Sequence, residues 1–83
     1  MSVYKIQVQI PNVVEMDTAV ISSPSKVLDI SKYLNENIPN CKLNYFIRRT
    51  SERDTWNQIS LSDLESAVEG KPIRIGTRRW EDG

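Results

Sequence analysis

The sequence predicts an α+β domain. Three observations carry this: apolar residues alternate with period two near the start, an apolar stripe with helical spacing follows, and further short β-type runs come after it. At 83 residues the chain has room for one domain, spanning 1–83. Its hydrophobic fraction of 39% and charged fraction of 27% are those of an ordinary globular protein.

The first strand is expected at residues 3–10, VYKIQVQI, where Tyr4, Ile6, Val8 and Ile10 alternate with Val3, Lys5, Gln7 and Gln9. Pro11-Asn12 supplies turn chemistry at its end. Residues 16–22, MDTAVIS, fit a weaker second strand returning as a hairpin. Ser23-Pro24 then reads as a helix start, serine capping free amides and proline suiting the first helical position. Val27, Ile30, Leu34 and Ile38 share one helix face, flanked by Leu28 and Tyr33, and Pro39 closes the helix.

A third strand is expected at 42–49, KLNYFIRR, with Leu43, Tyr45 and Ile47 inward and Asn44, Phe46 and Arg48 outward. The polar run TSERD at 50–54 reads as a hairpin loop, and Trp56 to Ser60 as the return strand. Trp56 beside that loop is placed to cover one end of the core. Ser62 with Glu65 three residues on has the form of a capping box, opening a short helix that runs through Val68 and stops at Gly70. A last strand is expected over 72–79, PIRIGTRR, with Ile73 and Ile75 inward and Gly76 marking a bulge. Residues 80–83 read as a loose tail.

That order of elements, with a central helix after a hairpin and the local run Leu61-Ser62-Asp63-Leu64, resembles the ubiquitin-like β-grasp superfamily over nearly the whole chain. The resemblance implies a mixed sheet with one central helix and a short helix before the last strand, and puts the third and last strands on either side of the first. It also implies that Leu61-Ser62-Asp63-Leu64 forms the short turn into the last strand. If residues 16–22 are loop, the order becomes the ferredoxin-like βαββαβ arrangement shared by RNA-recognition motifs. Residues 55–60, TWNQIS, lack the aromatic- and glycine-rich signature those motifs need.

The chemistry is sparse. No histidine is present, which removes the usual general base and the commonest metal ligand. Cys41 stands alone, so it forms neither an internal disulfide nor, without histidine, a catalytic dyad or zinc site. Gly70, Gly76 and Gly83 are scattered, with no phosphate-binding loop. Asp63 and Glu65 belong to a helix start, and Glu52 and Asp54 to a solvated loop. No catalytic residue, metal or cofactor is expected. A single cysteine and the absence of a signal-like or membrane-spanning apolar run make a cytoplasmic location the expectation.

Charge patterning is more informative. Eleven basic and eleven acidic residues cancel, but residues 42–80 hold eight basic against five acidic groups, while 1–41 hold three against four. With the inward assignments above, Phe46, Arg48, Arg74 and Arg78 fall on outward sheet faces, around Lys5, Gln7 and Gln9 of the first strand. Such a face suits docking to an acidic protein surface, because arginine and aromatic residues are favoured at interfaces. Trp80 would be an anchor for the same partner. The leading expectation is therefore a non-catalytic protein-binding module: an adaptor, an assembly subunit or a small inhibitor. Single-stranded nucleic acid is the less favoured ligand, because the net charge is zero. The β-grasp resemblance implies one further alternative, a modifier or carrier activated at Gly83. The penultimate Asp82 departs from the usual Gly-Gly of such tails.

Overall fold

The computed structural model describes residues 1–12, 16–17 and 19–80, with 16–17 described by backbone alone. The elements run β1 (Ser2–Gln9), β2 (Met16–Asp17), α1 (Pro24–Asn37), β3 (Lys42–Arg49), β4 (Asn57–Ile59), α2 (Leu61–Val68), β5 (Ile73–Ile75) and β6 (Arg78–Trp80). The α+β class stands. The first four strands form one antiparallel sheet in the order β2-β1-β3-β4, and β5 and β6 form a separate two-stranded sheet.

This pairing corrects the expected topology. β1 lies between β2 and β3, aligned with all eight residues of β3 from Ser2↔Arg49 to Gln9↔Lys42. The last strand, placed beside the first by the β-grasp resemblance, pairs with β5 instead. Gly76 is the physical reason. At φ 63° it takes the left-handed region open to glycine, and Gly76-Thr77 becomes a two-residue loop with glycine first, the signature of a type II′ turn. Residues 72–79 are therefore a hairpin rather than one bulged strand.

The second strand is shorter than its expected span of 16–22. Beyond Met16–Asp17 it touches β1 again at an isolated bridge, Tyr4↔Ile21, with backbone bonds of 2.7 and 2.9 Å.

Helix α1 begins as expected. Ser23 Oγ accepts from the Lys26 amide at 3.4 Å, and Pro24 takes the first helical position. It ends at a cap where the Ile38 amide donates to Leu34 O. Val27 is buried, Leu28, Ile30 and Leu34 are half-buried, and Tyr33 points into solvent at 64% exposure. Ser31 shares the buried face because its hydroxyl pairs with that of Tyr45 on β3. A buried polar group is tolerated when it is satisfied in this way.

The capping box at α2 is real but two residues earlier than expected. Ser60 Oγ accepts from the Asp63 amide and Asp63 Oδ2 accepts from the Ser60 amide, both at 3.1 Å. Ser60 and Ser62 each have a carboxylate three residues on, so spacing alone does not choose. The buried Ile59 decides, because it ends β4 and leaves Ser60 at the junction. The run Leu61-Ser62-Asp63-Leu64 is accordingly the first turn of α2, not a turn into the last strand. At the far end the Gly70 amide bonds Ala67 O and the Lys71 amide bonds Ser66 O, with Gly70 at φ 77°. This is a Schellman termination, which needs that left-handed residue.

One apolar cluster joins the layers. Tyr4, Ile6 and Val8 of β1, Tyr45 and Ile47 of β3 and Ile59 of β4 meet Val27 of α1, Leu64 of α2, Ile73 of β5 and Trp80 of β6. Both helices and the hairpin thus pack on the same face of the four-stranded sheet. Residues 81–83 lie outside the described residues, so Gly83 and most of the expected tail go with them. Trp80 itself is not tail: it is the last residue of β6 and 2% exposed.

Candidate functional site

The uncovered face of the sheet is built by strand alternation from the register of β1, β3 and β4. Lys5 sits opposite Phe46, and Phe46 opposite Gln58. Val3 sits opposite Arg48. Continuing the β3–β4 register by one residue brings Trp56 across from Arg48. Gln7 opposes Asn44, and Gln58 donates to Asn44 Oδ1 at 3.3 Å.

Two of these side chains, Lys5 and Arg48, close on the rings of Phe46 and Trp56. Lys5 Nζ lies 5.1 Å from the Phe46 ring centroid and 4.8 Å from that of Trp56. The Arg48 guanidinium lies 4.8 Å from the Trp56 ring. Arg48 Nη1 also donates to the carbonyls of Arg49 and Thr50, at 3.0 and 3.4 Å. Its Nε is buried with no hydrogen-bond partner among the described residues. Each such cation–ring contact contributes about 0.5–2 kcal/mol, depending on desolvation. Together they hold Lys5, Phe46, Arg48 and Trp56 half-buried and in fixed relation. The outward positions of β1, β3 and β4 (Val3, Lys5, Gln7, Gln9, Lys42, Asn44, Phe46, Arg48 and Gln58) include no aspartate or glutamate, whereas β2 sets Asp17 in register with Gln7.

Of the expected contact residues, then, the fold brings Phe46 and Arg48 together and separates the rest. Arg74 and Arg78 lie on the hairpin. Their expected shared face follows from reading 72–79 as one strand, and the turn at Gly76-Thr77 breaks that alternation. Arg74 opposes Arg79, while Arg78 opposes Ile75 on the other face. Trp80 is corrected outright as an anchor. Its indole N–H donates to Ser2 Oγ at 2.9 Å, and Arg49 and Arg78 stack on its ring at 4.5 and 5.9 Å. Trp56 belongs to the open face rather than to an end of the core. Counting back in alternation from the inward Ile59 would have placed it there.

A hollow of about 460 Å³ lies between the sheet and the hairpin, lined by Tyr4, Ile47, Ala67, Ile73 and Trp80 with Gly70, Lys71 and Pro72 at its edge. Tyr4, Ile47 and Trp80 are almost wholly closed to solvent, so its apolar floor is covered. Lys71 bonds Glu69 at 2.9 Å, and this contact raises the lysine pKa above its ordinary value. Among the described residues no helix is long and apolar enough to cross a membrane. No family model, no curated protein and no solved structure matches the chain.

Proposed function

We propose that the chain is a non-catalytic protein-binding module that docks through the open face of its sheet onto an acidic surface of another protein. One observation carries this reading: two cations are clamped on two aromatic rings on a face where β1, β3 and β4 place no carboxylate outward, Asp17 of β2 standing in register with Gln7. Aromatic and arginine side chains fixed before binding lose little conformational entropy on association, which is the character of binding hot spots. The same stacking disfavours single-stranded nucleic acid. Bases need free ring faces, and here Lys5 and Arg48 occupy faces of Phe46 and Trp56.

The order of elements supports kinship with the β-grasp superfamily, and the pairing of β6 with β5 weighs against it. The ferredoxin-like alternative has the brevity of β2 in its favour.

The test is capture of partners from source-cell lysate by N-terminally tagged protein, with release by denaturant. The double variant Lys5→Gln, Arg48→Gln is expected to keep its circular dichroism spectrum and lose the captured protein. Capture that survives the double variant removes the sheet face from consideration. Tight binding of a short single-stranded oligonucleotide that collapses between low and moderate salt would replace the protein reading with a nucleic-acid one.

A further inference from the structure

We propose that the chain pairs with a second copy of itself across the groove between α1 and α2, each α1 lying on the other copy's α2. The groove, of about 240 Å³, is lined by Leu28, Ser31, Lys32 and Asn35 of α1 and by Leu61 and Glu65 of α2. Both helices pack on the covered face of the sheet, so this surface lies on the other side of the molecule from Lys5 and Arg48.

Each wall of the groove belongs to one stripe of its helix. Leu28, Lys32 and Asn35 follow one another at intervals of four and three residues, and so do Leu61, Glu65 and Val68. Side chains so spaced stand one above another on a helix face. Leu61 and Val68 are 44% and 40% exposed, so α2 holds apolar side chains in water on either side of Glu65. The α1 stripe centres on Lys32 instead. Lys32 and Glu65 are both exposed, and neither forms an ion pair among the described residues. Asp29 and Glu36 are the acidic neighbours of Lys32 on its own helix, and neither reaches it within ion-pair distance. Glu69, one turn beyond Glu65, is held by Lys71 at 2.9 Å.

The opposite signs of the two walls select the occupant. A helix of one sign would match one wall and be repelled by the other. A two-fold related copy carries the inverse pattern by symmetry, because such a contact sets residue i on residue j of the partner and j on i. Lys32 and Glu65 are the middle members of their stripes, so Lys32 meets the partner copy's Glu65 whichever way the facing helices run. Leu28 then falls on an apolar end of the α2 stripe, Leu61 or Val68. Removal of these side chains from water supplies the drive, and the two ion pairs fix the register.

The experiment is sedimentation velocity on the full chain from about 10 µM to 1 mM, in about 0.15 M salt to screen net charge. Dimer is expected to form toward the upper end. Lys32→Glu and Glu65→Lys are each expected to weaken it at least about tenfold, because like charges then face each other. The double variant Lys32→Glu, Glu65→Lys restores opposite charges at both contacts and is expected to regain the association. Lys26→Glu, with the same net charge as Lys32→Glu but outside the groove, is expected to associate like the parent. So is Lys5→Gln, Arg48→Gln, which keeps this test separate from that of the sheet face. A monomer at every concentration, indifference to Lys32→Glu, no recovery in the double variant, or loss of association in Lys26→Glu or in Lys5→Gln, Arg48→Gln would each overturn the proposal.

Discussion

The indole of Trp80 sits in the core with its N–H donating to Ser2 Oγ, so two residues near opposite ends of the described chain are joined by one bond of 2.9 Å. Removing that acceptor leaves a buried donor unsatisfied, and the expected cost of Ser2→Ala is about 1–3 kcal/mol in urea denaturation. Tyr33→Ala is the matched control. Its ring is 64% exposed, and its expected effect lies within about 0.5 kcal/mol. Equal effects would mean that the indole bond adds nothing to stability. Trp80 also shows where reading by residue type stops. A tryptophan after a cationic strand has the composition of an interface anchor, and only the hairpin turn sends it inward. Arg74 and Arg78 show the same limit: their spacing puts them on one face of a straight strand, and a left-handed glycine at position 76 puts them on two. Phe46 and Arg48 were legible because nothing interrupts the alternation of β3.

At the scale of elements, legibility followed local chemistry. Helix α1 was readable because its cap, its proline and its apolar stripe all lie within the element. β3 and β4 were readable from alternation and a polar loop. The start of α2 was not, because Ser60 and Ser62 offer the same local motif and burial of Ile59 chooses between them. The choice has a direct consequence. Ser60→Ala is expected to lower stability by about 1 kcal/mol, and Ser62→Ala, exposed in the first turn, by no more than a few tenths. A thermal-denaturation series on the two variants separates them, and a larger loss at Ser62 would restore the later helix start. The Lys71–Glu69 contact behaves differently, being fully at the surface. Because it raises the lysine pKa, its contribution is present below the lysine's ordinary value near 10.5 and disappears as pH rises through the raised one.

At the scale of the whole molecule, the partner of the last strand is what sequence reading missed. Pairing across the chain is a long-range choice: the last strands lie some sixty residues from β1, and only the turn at Gly76-Thr77 gives them a local partner. The chosen arrangement divides the molecule unevenly. The four-stranded sheet carries eight consecutive paired positions between β1 and β3, whereas the hairpin has three. The hairpin is held to the body by the side chains of Ile73 and Trp80, beside a hollow of about 460 Å³, rather than by backbone pairing with the larger sheet. Short strands with a single partner open at lower free energy than a central pair. Native-state hydrogen exchange is therefore expected to place the amides of Lys5 and Phe46, which face each other across β1 and β3, among the slowest, exchanging only on global unfolding. Those of Ile75 and Arg78 are expected to exchange at least about tenfold faster, through local opening. Such opening would leave the sheet face intact. Uniform protection across both sheets would mean that Trp80 binds the hairpin into one cooperative unit.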